Sequence, residues 1–217
     1  MGHNRHHGGV DPVPRDPVDD VPPVVPAIGE ALVSTPVIGD PTFATTVILL
    51  VHHDAEGAMG LVLNRATPIH VAEALPLWHE RVGSPPVVFE GGPVNSDHAL
   101  GLGLWVPGSP TTANPTEAFT PLPGQDPDGL CVGIVDLSAE PTSMPPALEV
   151  VRVFGGYAGW GPGQLESELS VGAWWSTPIW PHEVLTGEPE TLWERVVARQ
   201  RGTRRLFARF PTDPGLN

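Results

Sequence analysis

An α+β domain built on a mixed sheet is what this sequence predicts, and three observations predict it. Apolar, β-branched runs recur at residues 45–52, 130–137 and 150–157, each short and nearly continuous, as in strands covered on both faces. Only a few stretches carry helical signals, the clearest being the apolar stripe of Leu192, Trp193, Val196 and Val197. Strands and helices also alternate irregularly, unlike the βαβα rhythm of a doubly wound fold.

Along the chain, residues 1–27 form a tail rich in proline, aspartate and histidine with no hydrophobic period. It buries too little apolar surface to offset its ordering entropy and is expected to be disordered. His3, His6 and His7 lie there without fixed geometry. A single domain is expected over 28–217. Ala31–Ser34 reads as a strand, Thr45–His52 as a central strand, and Asp54–Gly57 as the turn of a hairpin into Met59–Leu63. Thr67 as N-cap and Pro68 at N1 predict a short helix ended by Pro76. Val87–Phe89 and Leu100–Val106 read as strands. Residues 107–128, with six prolines, read as one long exposed loop. Leu130–Leu137 and Val150–Tyr157 follow as strands. Pro162 is expected to open a helix in which Leu165 and Leu169 stack and which Gly172 ends. Ala173–Thr177 is one more strand, and Pro189 opens the last helix.

The formal charge of −14, with eleven arginines and no lysine, disfavours nucleic acid and anionic membranes as partners. No apolar run reaches the eighteen residues of a membrane span, and the N-terminus lacks a signal-type apolar core, so a cytoplasmic location is expected. Cys131, the lone cysteine, lies within the apolar run LCVGIVDL and reads as a buried structural thiol. No cofactor is indicated.

The stretch GGYAGWGPGQLESEL, residues 155–169, places five glycines in nine residues ahead of a leucine-spaced acidic segment. Backbone that must approach another chain closely, or adopt positive φ, calls for glycine. Two readings stay open at Gly159-Trp160-Gly161-Pro162-Gly163-Gln164. In one, free N–H groups at Gly163 and Gln164 face a small anion at a helix start. In the other, the glycines only let helix and sheet pack closely. Glu166 and Glu168, already at that dipole end, weigh against a strongly charged ligand.

His52-His53-Asp54 invites a metal reading, but adjacent strand residues point to opposite faces, so no metal site is expected and solvation at a strand end is the simpler account. His70, His79, His98 and His182 share no ligand spacing. Ser34-Thr35-Pro36 lacks the glycines of a nucleophile elbow, and Asp136 at a strand end reads as a turn cap. Six of the eleven arginines fall in 195–209, either a basic patch or the solvated end of a helix, with no DNA-binding motif around them. Specific DNA binding is not expected.

Four ordered blocks resemble the YqgE/AlgH family: LVSTPVIGDPTFATTVILLVHHDAEGAMGLVLNR (32–65), VFEGGPV (88–94), GYAGWGPGQLESEL (156–169) with GAWW (172–175), and the closing DPGLN. The resemblance implies a small bacterial cytosolic protein whose mixed sheet, flanked by helices, is partly closed like a barrel. Family members often carry an arginine and a histidine soon after GGPV; this chain reads Asn95-Ser96-Asp97-His98, so no role of that arginine carries over. The resulting expectation is a regulatory or small-ligand-binding protein without established catalysis, its ligand near Gly91, Gly92, Gly159, Gly161, Gly163 and Gln164. The alternatives are an enzyme using a cleft between the Glu90–Pro93 and Gly159–Gln164 loops, with His53 or Asp54 as acid or base, and the transcriptional regulator that family labels sometimes suggest.

Overall fold

The computed structural model describes residues 25–106, 118–124, 130–144 and 148–209. Most of the 1–27 tail, most of the 107–128 loop and the closing DPGLN lie outside them. Among the described residues ten strands are formed: β1 (Glu30–Ser34), β2 (Val47–Asp54), β3 (Gly57–Val62), β4 (Ala66–His70), β5 (Val87–Glu90), β6 (Val94–Trp105), β7 (Phe119–Pro121), β8 (Cys131–Val135), β9 (Leu148–Trp160) and β10 (Trp174–Pro178). Four short α-helices accompany them among the described residues: α1 (Val71–Ala74), α2 (Gln164–Ser170), α3 (Pro181–Val184) and α4 (Leu192–Ala198).

The strands join one sheet in the order β10-β1-β2-β3-β9-β6-β8-β7. Pairing is antiparallel except where β5, carrying β4 on its far side, runs parallel to β9. The sheet curls into a half-barrel. Leu49 of β2 and Val132 of β8, from distant parts of the strand order, share one core with Val184, Leu192, Trp193, Val196 and Val197 of α3 and α4. The α+β class, the mixed sheet and the partial barrel are therefore as the sequence predicts. The α4 stripe is buried on the side expected, and Cys131 is buried in β8.

Several elements differ from expectation, each for a local reason. The helix at Thr67 does not form: Thr67 Oγ1 donates to the Val88 carbonyl at 2.7 Å and accepts the Ile69 N–H, which holds the segment beside β5 as β4. The helix starts instead at Val71, and Pro76 opens a 3₁₀ turn, Pro76–Arg81, that buries Trp78. Inside the expected 107–128 loop, Phe119–Pro121 pairs with β8 because Phe119 and Leu122 are core residues. α2 begins after Gly163 rather than at Pro162, and β6 and β9 run well past their apolar runs, β9 through Gly155, Gly156 and Gly159.

Arg152, near the middle of β9, is 3% exposed and has no carboxylate partner among the described residues. It donates to three backbone carbonyls, Val184 at 3.2 Å, Ser84 at 3.0 Å and Thr186 at 2.6 Å, and lies 4.3 Å over the Phe89 ring. Carbonyls at the end of α3 carry partial negative charge, which suits a cation there. Burial pulls its pKa down to about 10, so it stays charged at neutral pH. It ties β9 to α3. Arg152→Met, which leaves those carbonyls without a buried donor, is expected to cost at least about 2 kcal/mol in urea denaturation with an unchanged m value. A midpoint equal to wild type would show that the carbonyls find other donors.

Candidate functional site

β9 takes different partners along its length. Val153–Gly155 pairs with β5, Ala158–Trp160 with β3, and the opposite edge with β6. The change of partner happens where two glycine pairs cross. Gly91 N–H donates to the Gly155 carbonyl at 2.9 Å, and Val62 N–H donates to the Gly91 carbonyl at 3.0 Å. A Cβ at Gly91 would come under 3.0 Å from the Gly156 carbonyl oxygen, and one at Gly92 equally close to the Tyr157 and Ala158 backbone. Gly92 and Gly156 also have φ of +149° and +69°. Gly91 and Gly92, expected to line a ligand site, are therefore filled by backbone. At this crossing the Gly91-Gly92 backbone packs against residues 155–158 rather than against the Gly159–Gln164 loop.

The histidine pair splits as strand geometry requires, but only His52 is solvated. His52 is 56% exposed, with Nε2 3.0 Å from Asp54 Oδ2. It lines a shallow groove of about 320 Å³ with Asp54, Met59, Val94, Tyr157 and Gly159. The Glu56 backbone N–H, and then His52, hold the Asp54 carboxyl below the usual range. His53, expected at a solvated strand end, has a side chain only 9% exposed. Its Nε2 lies 2.7 Å from Glu166 Oε1 on α2 and its Nδ1 3.3 Å from the Pro26 carbonyl. With an oxygen acceptor at each ring nitrogen, His53 is a tether for α2 and has no nitrogen left to serve a substrate. Of the two residues offered as acid or base, His53 is engaged with Glu166 and Asp54 sits with His52.

At the glycine turn, Gln164 N–H, one of the two donors proposed for an anion, is engaged. Gln164 N–H donates to the Gly161 carbonyl, and Gly161 N–H donates to Gln164 Oε1 at 3.1 Å. Gln164 in turn donates to Glu168 Oε1 at 2.9 Å, while the indoles of Trp160 and Trp174 donate to Glu168 Oε2 at 2.9 and 2.7 Å. Glu168 is the knot that fastens α2 to β9 and β10, a role the sequence did not single out. Gly163, at φ +71°, supplies the left-handed residue before α2, whereas Gly161 has ordinary φ and room for a Cβ.

The arginine-rich end finds partners within the fold. Arg199 pairs with Glu183 at 3.1 Å and stacks over Trp180, Arg195 donates to Thr186 Oγ1 at 2.7 Å, and Arg204 lies over Trp175. A larger cavity, about 530 Å³, opens where the two ends of the curled sheet approach. Ile28, Leu49, Leu130, Val132, Ile179 and Val184 line it, and among the described residues Glu30 is the only ionisable one in the lining. Its strands lie far apart in sequence, so no local motif announces it.

The family model described as AlgH-like matches residues 31–205. The chain is similar to a UPF0301 protein of Streptomyces coelicolor, 46% identical over 189 residues that cover 87% of this chain and 94% of the relative. A UPF0301 protein of Thermobifida fusca is 40% identical over 194 residues, with the same coverage of 87% and 94%. A crystal structure of a Corynebacterium diphtheriae protein superposes with a TM-score of 0.77 at 28% identity, covering 88% of this chain and 95% of that one. The solution structure of AlgH from Pseudomonas aeruginosa gives 0.59 at 28% identity, covering 92% and 98%.

Two measurements check this geometry. Gly92→Ala and Gly156→Ala are expected to lower stability by more than about 3 kcal/mol, since strain and a backbone clash combine, while Gly161→Ala stays within about 0.5 kcal/mol of wild type. Equal losses at all three sites would refute the crossing as the constraint. The second concerns acid. Its own backbone N–H first, and His53 second, hold the Glu166 carboxyl below its ordinary value of 4.5. The unfolded chain then binds the proton more readily, so the stabilisation is complete above the unfolded pKa and is lost as pH falls through the folded one. Between about pH 5 and 3 the wild type should lose more stability than Glu166→Gln. Parallel pH curves would mean that the tether contributes nothing.

Proposed function

The chain belongs to the AlgH-like family, and on that footing we propose that it is a small-ligand-binding regulatory protein whose ligand occupies the seam of the half-barrel. The observation that carries this reading is the 530 Å³ cavity between β1, β2 and β10 on one side and β8 on the other, floored by Val184 of α3. Its size falls within the range of small-molecule sites, and the mouth of a barrel is a recurrent place for them. The lining selects a neutral, largely apolar molecule: Glu30 already accepts hydrogen bonds from the Ser176 hydroxyl and the Ala27 N–H. A molecule there touches both ends of the sheet at once. It favours the closed form of the half-barrel over any form in which the ends part, which is how a ligand shifts a population.

A second reading, an acid–base enzyme, is favoured by the His52–Asp54 pair beside Tyr157. It requires that any turnover found for the wild type fall at least about 100-fold in His52→Gln.

The seam reading is tested by titrating the protein with Nile red, a neutral apolar fluorophore, and then displacing it with uncharged metabolite-sized compounds. Saturable binding is expected, with about 2.7 kcal/mol of added stability at a hundredfold excess over Kd. Ala27→Trp, a change at an exposed rim position, should weaken binding at least tenfold while leaving the fold intact. Unsaturable binding, or binding indifferent to Ala27→Trp, would overturn the assignment.

A further inference from the structure

A second hollow, about 310 Å³, lies over the exposed face of α2 and shares no lining residue with the seam cavity. Glu168 and Gln164 lie on its α2 side, Phe43 and Trp160 supply aromatic surface, and Asp40 joins the lining beside the 3₁₀ turn Pro41–Phe43. Val37 and Val171, each 64% exposed, stand at its rim.

The electrostatics of this hollow are one-sided. Glu168 accepts three hydrogen bonds, all from neutral N–H groups: two indoles and a carboxamide. Hydrogen bonds from neutral donors hold a carboxylate in place but leave its charge uncompensated. Among the described residues no arginine or histidine lies within ion-pair distance of Glu168 or of Asp40. Asp40 uses Oδ1 to cap Thr42 N–H at 2.9 Å. On Glu168, the two indoles fill Oε2, while Oε1 takes one bond from Gln164 and keeps an acceptor position. An anion here would meet two carboxylates. A neutral apolar molecule would desolvate both without replacing their water. A cation with an aliphatic stem meets both demands, its head at Glu168 and its stem across Val37 and Val171, with the aromatic faces adding to the attraction for the charge.

We propose that this hollow binds an alkylammonium or alkylguanidinium group, either as a free amine or as the side chain of a basic peptide. The glycine turn thus borders a ligand site of the opposite sign to the one its backbone N–H groups suggest, with Gly159 and Gln164 in the lining.

The test follows the two tryptophan indole N–H signals of Trp160 and Trp174 in ¹⁵N-labelled full-length protein, because both indoles bond the Glu168 carboxylate, whose charge a cation at Oε1 would compensate. Agmatine and an acetyl-arginine amide are titrated in parallel with the neutral N-butylurea and with butyrate. Agmatine or the arginine amide is expected to move both signals saturably, and the stronger of the two identifies the source; the urea and the carboxylate should not. Glu168→Gln keeps an acceptor for both indoles while deleting the charge, and should weaken binding at least tenfold. Val171→Arg, at an exposed position one turn from Glu168, places a tethered guanidinium in the hollow and should abolish the response in a folded protein. Signals unmoved by either cation, an equal response to butylurea, or full binding by folded Val171→Arg would each overturn the proposal. The seam assignment stands or falls separately, since the two cavities share no lining residue and neither tryptophan followed here lines the seam.

Discussion

The fold depends on one backbone crossing. Gly91-Gly92 lies across Gly155-Gly156 so closely that the main chains touch where side chains would ordinarily separate them. That contact lets β9 hand its edge from β5 to β3 without a gap, since Gly91 bonds to both β9 and β3 as it passes between them. A sheet that changes partner within one strand is bent at that strand, and the bend brings β2 round toward β8. Curl, core and seam cavity all follow from residues that contribute no side chain. The energy stored in such backbone is offset by burial on both faces of β9, where Val151 and Val153 pack into one core and Phe154 into another.

Much of the architecture was legible in the sequence because it is written in local patterns. Val47 to Val51 and Cys131 to Val135 announce covered strands by composition, and the Leu192–Val197 stripe announces which side of α4 is buried. What was not legible depends on partners remote in sequence. Thr67-Pro68 has every mark of a helix start, yet the Val88 carbonyl, twenty-one residues away, claims its hydroxyl. Phe119 looks like one apolar residue in a proline-rich loop until β8 lies beside it. Arg152 interrupts an apolar run with no visible reason, because its carbonyl partners come from two other segments.

The site is less legible in the sequence for a related physical reason. Glycine density signals close approach, but sequence alone leaves open whether a ligand or backbone makes that approach. At Gly91, Gly92 and Gly156 it is backbone. Strand alternation separates the two residues offered as acid or base, sending His53 to α2 and leaving Asp54 with His52. The resemblance motif is thus largely accounted for as fastening. Trp160, Gln164, Glu168 and Trp174 form one hydrogen-bonded knot, and Leu165 and His53–Glu166 hold the other face of α2.

A fastening knot still has chemical consequences. Two indole N–H groups and a carboxamide can fix a carboxylate more rigidly than an arginine would, because each approaches from a direction set by a packed ring or a neighbouring helical turn. The exchange leaves a full negative charge at the surface edge of the knot. An arginine in the same place would have neutralised it and filled the hollow with its own stem. This chain instead places Arg152 and the 195–209 arginines elsewhere, and presents Glu168 beside two exposed valines. The same residues that lock α2 to the sheet therefore define what can approach it from outside. Structural and binding roles at this turn are two outcomes of one choice of donor.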